Sequence, residues 1–191
     1  MIRKMNRRII QRFNGARSKI SLAKFDELNV LRTAEDLYKD LDRDFRDIML
    51  ALIAVVYRET EPHGDDEPGR KWLLALLSEP DPVTGYAYIN EVNRKREYLA
   101  ENLAASSNRE AALRKAMSYW ARMAAQYADI VTGEVMLRAF SDAGVNRVRW
   151  YTRDDERVCK ACDKRHGKIY SINRIPARPH WGCRCWWEPV T

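Results

Sequence analysis

The segment CKACDKRHGKIYSINRIPARPHWGCRC, residues 159–185, contains all four cysteines of this 191-residue chain. Cysteine and histidine at such short spacings are typical of metal sites, because two residues between a pair of ligands let both reach one tetrahedral ion. Disulfides are less favoured, since the basic N-terminus lacks the apolar stretch of a secretory signal and a cytoplasmic chain stays reduced. The sequence therefore predicts a metal-binding module near its C-terminal end.

Five residues of this segment are the predicted ligands. Cys159 and Cys162 have the spacing of a zinc knuckle. A second pair comes from His180, Cys183 and Cys185. Because alternate residues of an extended segment point to opposite faces, only one of the last two cysteines needs to bind. This alternation favours Cys183 beside His180, with Cys185 as the next candidate.

Two other interpretations of the segment remain open. His166, four residues past Cys162, is a further candidate ligand. The four thiols are alternatively reduced core residues or an oxidised pair, since cysteine is often buried as a small hydrophobic side chain.

Short strands are predicted around the cysteines. Apolar residues alternate with polar ones over 145–152, and shorter apolar runs follow at 167–172 and 185–190. A module of about 45 residues buries little surface alone, so a metal crosslink is the expected source of stability. Structural zinc suits thiolate and imidazole ligands and contributes about 10–16 kcal/mol in small fingers. Zinc in a structural role is therefore the predicted cofactor.

Amphipathic helices are predicted before this module. Apolar residues recur at steps of three and four over 34–59, with Thr33 as the N-cap. Further helices are predicted over 70–78 and 87–105. The predicted fold class is α+β, a mainly helical N-terminal region followed by a small zinc-binding β-rich module.

One long helix is predicted to close the helical region. Ser107 and Glu110 match a capping box at its start, and Gly144 suits its C-terminal end. The predicted organisation is a basic, extended arm over 1–24, a helical region over 25–144 and the Cys/His module over 145–191.

The net charge of +7 is unevenly distributed. Residues 1–24 contain eight basic residues and no acidic one, residues 25–146 contain 15 basic and 22 acidic, and residues 147–191 contain 11 basic and 5 acidic. Basic ends favour contact with a polyanion or an acidic protein surface, although short basic termini are also often simply solvated. The candidate nucleic-acid contacts of the arm are Arg3, Lys4, Arg7, Arg8 and Arg12.

Several function classes are excluded by pattern. The longest uncharged apolar run, Ile48–Tyr57, is ten residues, about half of the ~20 needed to cross a bilayer, so no membrane contact is predicted. The sequence also lacks the deaminase signature, His-Glu-x-x-His, a Gly-rich phosphate loop and Gly-x-Ser-x-Gly. We therefore expect a non-enzymatic protein that is made in a cytoplasm.

A longer motif surrounds the cysteines. It runs from Trp150 through Asp155-Glu156-Arg157 and Cys-x-x-Cys to Gly167, Pro179-His180 and Cys183-Arg184-Cys185. This order resembles the phage minor head protein family, also called Mu F-like or head morphogenesis proteins. Two positions depart from the family pattern: His166 stands where Asp is common, and Trp181-Gly182 stands where Pro-x is common.

The resemblance implies a minor structural protein of a tailed-phage head, made in the host bacterial cytoplasm and located in the virion. It implies association with the portal or the major capsid protein at the capsid interior, an oligomer within the virion, contact with packaged duplex DNA, and a metal-binding role for the matching histidine and cysteines. The alternative hypothesis is a free-standing zinc-dependent nucleic-acid-binding protein. Its basis is the basic arm together with the aromatic and cationic residues of the module, which suit base stacking but equally suit a hydrophobic core.

Overall fold

A computed structural model describes residues 2–22, 27–64, 67–81, 84–105, 108–153 and 155–190. These residues are mostly helical, with a small antiparallel sheet near the C-terminus, which confirms the predicted succession of helices and a β-containing module. Every helix in these ranges is too short or too polar to span a lipid bilayer. The elements are α1 (Ile2–Leu22), α2 (Glu27–Thr60), α3 (Arg70–Ser78), α4 (Tyr88–Ala105), α5 (Arg109–Asp142), β1 (Arg147–Tyr151), α6 (Lys160–Asp163), β2 (Ile169–Ser171), a 3-10 turn (Ile172–Arg174) and β3 (Trp186–Pro189).

Contacts within the chain divide it into two compact units. The helical unit consists of Met1–Met49 and Ala87–Tyr127, and the Cys/His unit consists of Leu50–Tyr86 and Ala128–Thr191. Both α2 and α5 contribute residues to each unit, because the divisions fall within these helices. This division differs from the boundaries predicted from the sequence, since the Cys/His module shares its unit with the second half of α5 and with α3.

The first segment of the chain is a helix packed into the helical unit. Its apolar side chains recur every three or four residues, so they form one stripe along α1. The prediction of an extended arm over 1–24 is therefore wrong for residues 2–22, and residues 23 and 24 lie outside the described ranges. The buried side chains of α1 are Met5, Ile9, Phe13, Ala16 and Ile20.

Two basic residues of α1 bind acidic residues of α2. Arg12 donates from Nε to Asp44 Oδ2 at 2.8 Å and from Nη1 to Asp40 Oδ2 at 2.9 Å, and Arg8 Nη1 lies 3.1 Å from Asp44 Oδ1. Burial alone would raise the pKa of Asp44, but the Arg12 hydrogen bond and the surrounding positive charges outweigh it and lower the pKa. Arg8 and Arg12 thus attach α1 to α2.

The ends of α2 and α5 correct two predictions. Thr33 is not an N-cap, because α2 already begins at Glu27 and the Thr33 hydroxyl donates to the Asn29 carbonyl oxygen at 2.7 Å. Asn108 caps α5, since its Oδ1 accepts the backbone N–H of residue 111 at 3.0 Å. Ser107, the predicted capping residue, lies outside the described ranges.

The other helical predictions are confirmed. Helices α3 and α4 occupy the predicted segments 70–78 and 87–105 to within one residue. At the end of α5 the backbone N–H of Val145 donates to the Phe140 carbonyl oxygen at 2.9 Å. This bond closes the helix at Gly144, as the sequence predicts.

Strand β1 is central in the sheet of the Cys/His unit and pairs antiparallel with β2 and with β3. Trp150 lies opposite Trp187 across one pair, and their rings meet edge to face at 5.5 Å. All three predicted strands are thereby confirmed. The core beneath the sheet combines aromatic and aliphatic side chains with thiols; its fully enclosed members are Phe140, Val148, Trp150, Cys162, Cys183, Cys185 and Trp187.

The C-terminal half of α5 approaches this core closely at Gly133. A Cβ atom there would lie 2.7 Å from Arg178 Nη2 and 2.8 Å from Trp187 Cζ3. Arg178 also lies over the Trp187 ring, 5.1 Å from its centre, and donates to the carbonyl oxygens of Asp129 at 3.3 Å and Cys183 at 3.0 Å. The absence of a side chain at residue 133 therefore makes room for the contact between helix and module.

Candidate metal centre

The first two candidate ligands are arranged by the single turn of α6. Cys159 is its N-cap residue, and the Sγ of Cys159 accepts the backbone N–H of Cys162 at 3.4 Å. This hydrogen bond favours the ionised sulfur and lowers the pKa of Cys159. The turn thus presents both thiols to one side, as expected for residues with this spacing.

A second turn arranges the other candidates. The backbone N–H of Cys183 donates to the His180 carbonyl oxygen at 3.3 Å, and Gly182 between them has φ of +74°. That left-handed conformation is strained for residues with a side chain, so glycine is required there. The turn returns the chain and places Cys183 beside His180.

Both C-terminal cysteines join the cluster. Residues 183–185 precede β3 and are not part of a strand, so the alternation expected of an extended segment does not apply. The thiols of Cys183 and Cys185 both lie with that of Cys162 in one group whose ligand atoms are within 4.8 Å of one another. The sequence-based preference for one cysteine over the other is not supported by this geometry.

All five predicted ligands are close together in the structure. One group contains Cys159, Cys162 and His180, the other contains Cys162, Cys183 and Cys185, and Cys162 is common to both. The three cysteines of the second group are buried, whereas Cys159 and His180 are half-buried. This Cys/His cluster could hold a metal ion.

The spacing of the donors fits tetrahedral coordination. Metal–sulfur bonds of about 2.3 Å and metal–nitrogen bonds of about 2.0 Å place two tetrahedral sulfurs about 3.8 Å apart and a sulfur and a nitrogen about 3.5 Å apart. The Sγ atoms of Cys162 and Cys183 are 3.7 Å apart, and Cys162 Sγ is 3.3 Å from His180 Nε2. Each of these two distances from Cys162 therefore matches the separation of two donors on one ion, while His180 and Cys183 themselves belong to different groups.

The imidazole of His180 is oriented by its second nitrogen. Nδ1 lies 2.9 Å from the Trp181 carbonyl oxygen, which has no proton to give, so Nδ1 carries the proton and donates it to that bond. The bond raises the pKa of His180. It also leaves the Nε2 lone pair directed at the thiols, which is the usual orientation of a ligating histidine.

The thiols of the cluster share hydrogen bonds and differ in acidity. Hydrogen bonding from Cys185 lowers the pKa of Cys183 to about 5, whereas burial raises the pKa of Cys162 to about 12. The hydrogen bond to Cys183 together with burial also raises the pKa of Cys185. Because a cation stabilises thiolates, metal binding would release the protons that remain on these sulfurs.

His166 is not part of the cluster. Its Nδ1 lies 3.2 Å from the backbone nitrogen and 3.1 Å from the hydroxyl oxygen of Thr152, and its ring packs edge to face on Tyr151 at 5.6 Å. The interpretation of His166 as a ligand is therefore not supported, because its ring is committed to the end of β1.

The predicted nucleic-acid contacts divide into two sets. Arg3, Lys4 and Arg7 are exposed on α1, so they are accessible to a polyanion. Arg8 and Arg12 are instead engaged by acidic residues of α2. In the module, Trp150 and Trp187 are buried in the core, which leaves neither ring accessible for base stacking.

Sequence reasoning missed the residues that brace the cluster. Arg184 donates two hydrogen bonds of 2.6 Å to the carboxylate of Asp155 and so ties the ligand-bearing segment 183–185 to the loop before α6. Arg178 makes the bonds to Cys183 and α5 described above. Arg184 lies between two cysteines and Asp155 lies in the motif, but no local pattern indicates that residues 29 positions apart pair with each other.

Comparisons of the chain with protein-family models, with curated proteins and with solved structures found no match.

Proposed function

We propose that the Cys/His cluster binds one structural zinc ion and that this chain is a minor structural protein of a tailed-phage head. The observation that supports the metal most directly is that Cys162 Sγ lies 3.3 Å from His180 Nε2 and 3.7 Å from Cys183 Sγ, and each distance suits two donors of one tetrahedral ion. Thiolate and imidazole ligands together are typical of zinc.

A structural role fits the cluster better than a catalytic one. Catalytic zinc keeps one position open for water, whereas structural zinc is enclosed by four protein ligands. The five candidate donors form two groups of three that share Cys162, and the relative exposures of Cys162, Cys183 and Cys185 are 4%, 0% and 5%. The group formed by these three cysteines is therefore shielded from substrate.

The head-protein assignment is supported by the way the motif residues work together. Trp150, at the start of the motif, packs edge to face on Trp187 beside the thiols. Asp155 and Arg184, from its acidic and cysteine-rich parts, form the bidentate pair. Residues that match the family motif thus support one proposed metal site. This shared role explains why they would occur together in one motif.

The metal is tested by elemental analysis and thiol titration of reduced protein, on the natural chain and on a Cys159→Ser, Cys162→Ser double variant. We expect one zinc per chain, lost in the double variant. The matched control is Lys160→Gln, which changes an exposed residue between the two ligands and should retain the metal. Metal-free protein with four titratable thiols would reject the zinc site.

The role in assembly is tested by co-expression with the portal and major capsid proteins of the same phage, followed by isolation of proheads. We expect the natural chain to copurify with proheads at a fixed ratio. A chain that is absent from proheads, although folded and metal-loaded, would contradict the head assignment while leaving the zinc site intact.

Binding of duplex DNA is the second candidate function, and the observation favouring it is the exposed set Arg3, Lys4 and Arg7 on α1. A triple change of these residues to Gln should weaken DNA binding and flatten its dependence on salt between 50 and 200 mM by about three counterions. Arg8→Gln is the control within α1, because that side chain already binds Asp44. Equal salt dependence in the natural chain and the triple variant would argue against contact through α1.

A further inference from the structure

A small cavity lies in the helical unit, away from the Cys/His cluster. Its volume is about 90 Å³, and its walls come mainly from α4 and α5. Apolar atoms, among them those of Leu99, form most of the wall. The polar residues that line it are Tyr38, Lys95, Tyr98, Asn102, Lys115, Tyr119 and Arg122.

Aromatic rings hold two ammonium groups at the cavity. Lys95 Nζ lies 4.1 Å from the centre of the Tyr119 ring and 5.8 Å from that of Tyr98. Lys115 Nζ lies 5.5 Å from the centre of the Tyr98 ring and 3.3 Å from its hydroxyl oxygen. Ring faces attract cations without neutralising them. Both lysines are therefore positioned while their charge remains available.

Acidic groups do not balance this charge. No described residue lining the cavity is acidic, and within the described chain neither Lys95 nor Lys115 forms a salt bridge. Glu91 is the acidic residue that acts on Lys95 from nearby, but its carboxylate accepts two hydrogen bonds from Arg94, at 2.9 and 2.8 Å, and one from the Tyr119 hydroxyl. The surroundings of the cavity thus remain positively charged.

The size of the cavity limits what can enter. A cavity of about 150 Å³ just holds a benzene molecule, so 90 Å³ is too small for a nucleobase and suits a single tetrahedral or planar oxyanion. Three cationic side chains around such a space favour the higher charge of phosphate over that of a carboxylate. The exposed ring of Tyr98, at 46% relative exposure, leaves an apolar edge beside the entrance.

The geometry points to a phosphate-binding pocket between α4 and α5, in which Lys95 and Lys115 bind the oxyanion and Arg122 lies at its rim. The group bound is one phosphate. It is either inorganic phosphate, the phosphate of a small metabolite, or a phosphate of a nucleic-acid backbone. This site is independent of the metal centre and of the basic residues on α1.

The test is a titration of the full-length, metal-loaded chain with inorganic phosphate at constant ionic strength, followed by backbone amide NMR shifts. We expect saturable shifts confined to residues 95–102 and 112–122. A Lys95→Gln, Lys115→Gln double variant should bind at least about tenfold more weakly, since each ammonium contributes a close Coulomb interaction. An Arg70→Gln, Lys71→Gln double variant changes the net charge equally at exposed sites in the other unit and should bind as the natural chain does.

Three results would overturn the pocket: shifts that do not saturate, equal affinity in the double variant, or tighter binding of acetate than of phosphate. Competition with a short DNA duplex distinguishes the sources. Displacement of phosphate by duplex, lost in the double variant, assigns the site to a backbone phosphate, whereas phosphate binding that duplex leaves unchanged assigns it to a small phosphate compound. Neither the phosphate titration nor the duplex competition involves the cysteines. Failure of the phosphate pocket can therefore be distinguished from failure of the zinc site.

Discussion

The two units of the chain are stabilised in different ways. The helical unit buries apolar stripes of long helices, and its aromatic side chains meet in pairs such as Tyr38 with Trp120 at 5.3 Å and Phe45 with Tyr88 at 4.7 Å. The Cys/His unit has strands of only three to five residues, and three of its buried core residues are cysteines. The helical unit is therefore held by apolar packing, whereas thiols take the place of much of the apolar area in the core of the Cys/His unit.

The contrast indicates which interactions stabilise each unit. Short strands leave few ladder hydrogen bonds, and a small sheet is marginal unless it packs on another layer. The module packs on α5 at Gly133, yet the centre of its core consists of thiols that repel one another when ionised. A metal ion would turn that repulsion into attraction, so the two units should respond differently to the same perturbations.

The largest expected effect is that of metal removal. A chelator at neutral pH should abolish the near-ultraviolet signal of the buried Trp150 and Trp187 while most of the far-ultraviolet helical signal remains, because structural zinc contributes about 10 kcal/mol or more to small modules. Circular dichroism in both regions, before and after chelation, measures this. Full retention of the near-ultraviolet signal would show that packing alone holds the module.

A smaller loss is expected from truncating the aromatic core of the helical unit. Trp120 has 1% relative exposure, so Trp120→Ala should lower the free energy of unfolding by about 3–5 kcal/mol. Its metal content should stay unchanged, whereas Trp150→Ala, beside the thiols, should lower stability and metal content together. Urea denaturation with elemental analysis compares the two, and metal loss from Trp120→Ala would contradict the expectation that metal content depends on the core of the Cys/His unit.

Alanine substitutions of two glycines compare a crowded helix surface in the Cys/His unit with an open one in the helical unit. In Gly133→Ala the new Cβ would lie under 3 Å from Arg178 and Trp187, and such overpacking costs about 1–3 kcal/mol. Gly15→Ala, where nothing lies within 4 Å, should instead stabilise α1 by up to about 1 kcal/mol. Thermal unfolding of both variants gives the sign of each change, and equal signs would contradict the close approach at residue 133.

The smallest effect concerns pH and the ion pairs of α1. Because the pKa of Asp44 is lowered by folding, its contribution is complete above its unfolded value near 4 and is lost as pH falls through the lower folded value. Asp44→Asn should remove about 1–2 kcal/mol at neutral pH and flatten the acid limb of a stability profile. Asp36→Asn, at an exposed site on α2, should leave the profile unchanged.

Periodic patterns predicted much of this fold. Helices α3 and α4 and the three strands follow apolar spacings that depend only on local geometry. Helix α1 was missed although Ile9 and Phe13 are spaced as on one helical face, because eight basic residues without an acid drew the interpretation toward a solvated arm. The start of α2 was missed because Thr33 is a good N-cap in isolation, yet the helix continues past it toward Glu27.

The candidate ligands were predictable from spacing, but their arrangement was not. Alternation along a strand would separate Cys183 from Cys185, but residues 183–185 precede β3 and follow the turn at Gly182, so both thiols lie near that of Cys162. The brace between Asp155 and Arg184 joins distant positions, so it depends on the folded path of the chain. Local rules therefore identify donors more readily than the contacts that hold them in place.

Cys162 and His180 lie 18 residues apart along the chain. A metal bound to both would close this segment into a ring and reduce the conformational entropy of the unfolded chain, an effect of about 3 kcal/mol for a loop of this length. The closure entropy grows only with the logarithm of loop length, so even doubling the ring would change it by about 0.6 kcal/mol. Outside β2 and the 3-10 turn, variation in the length of this segment should therefore be tolerated far better than substitution of either of the residues that close it.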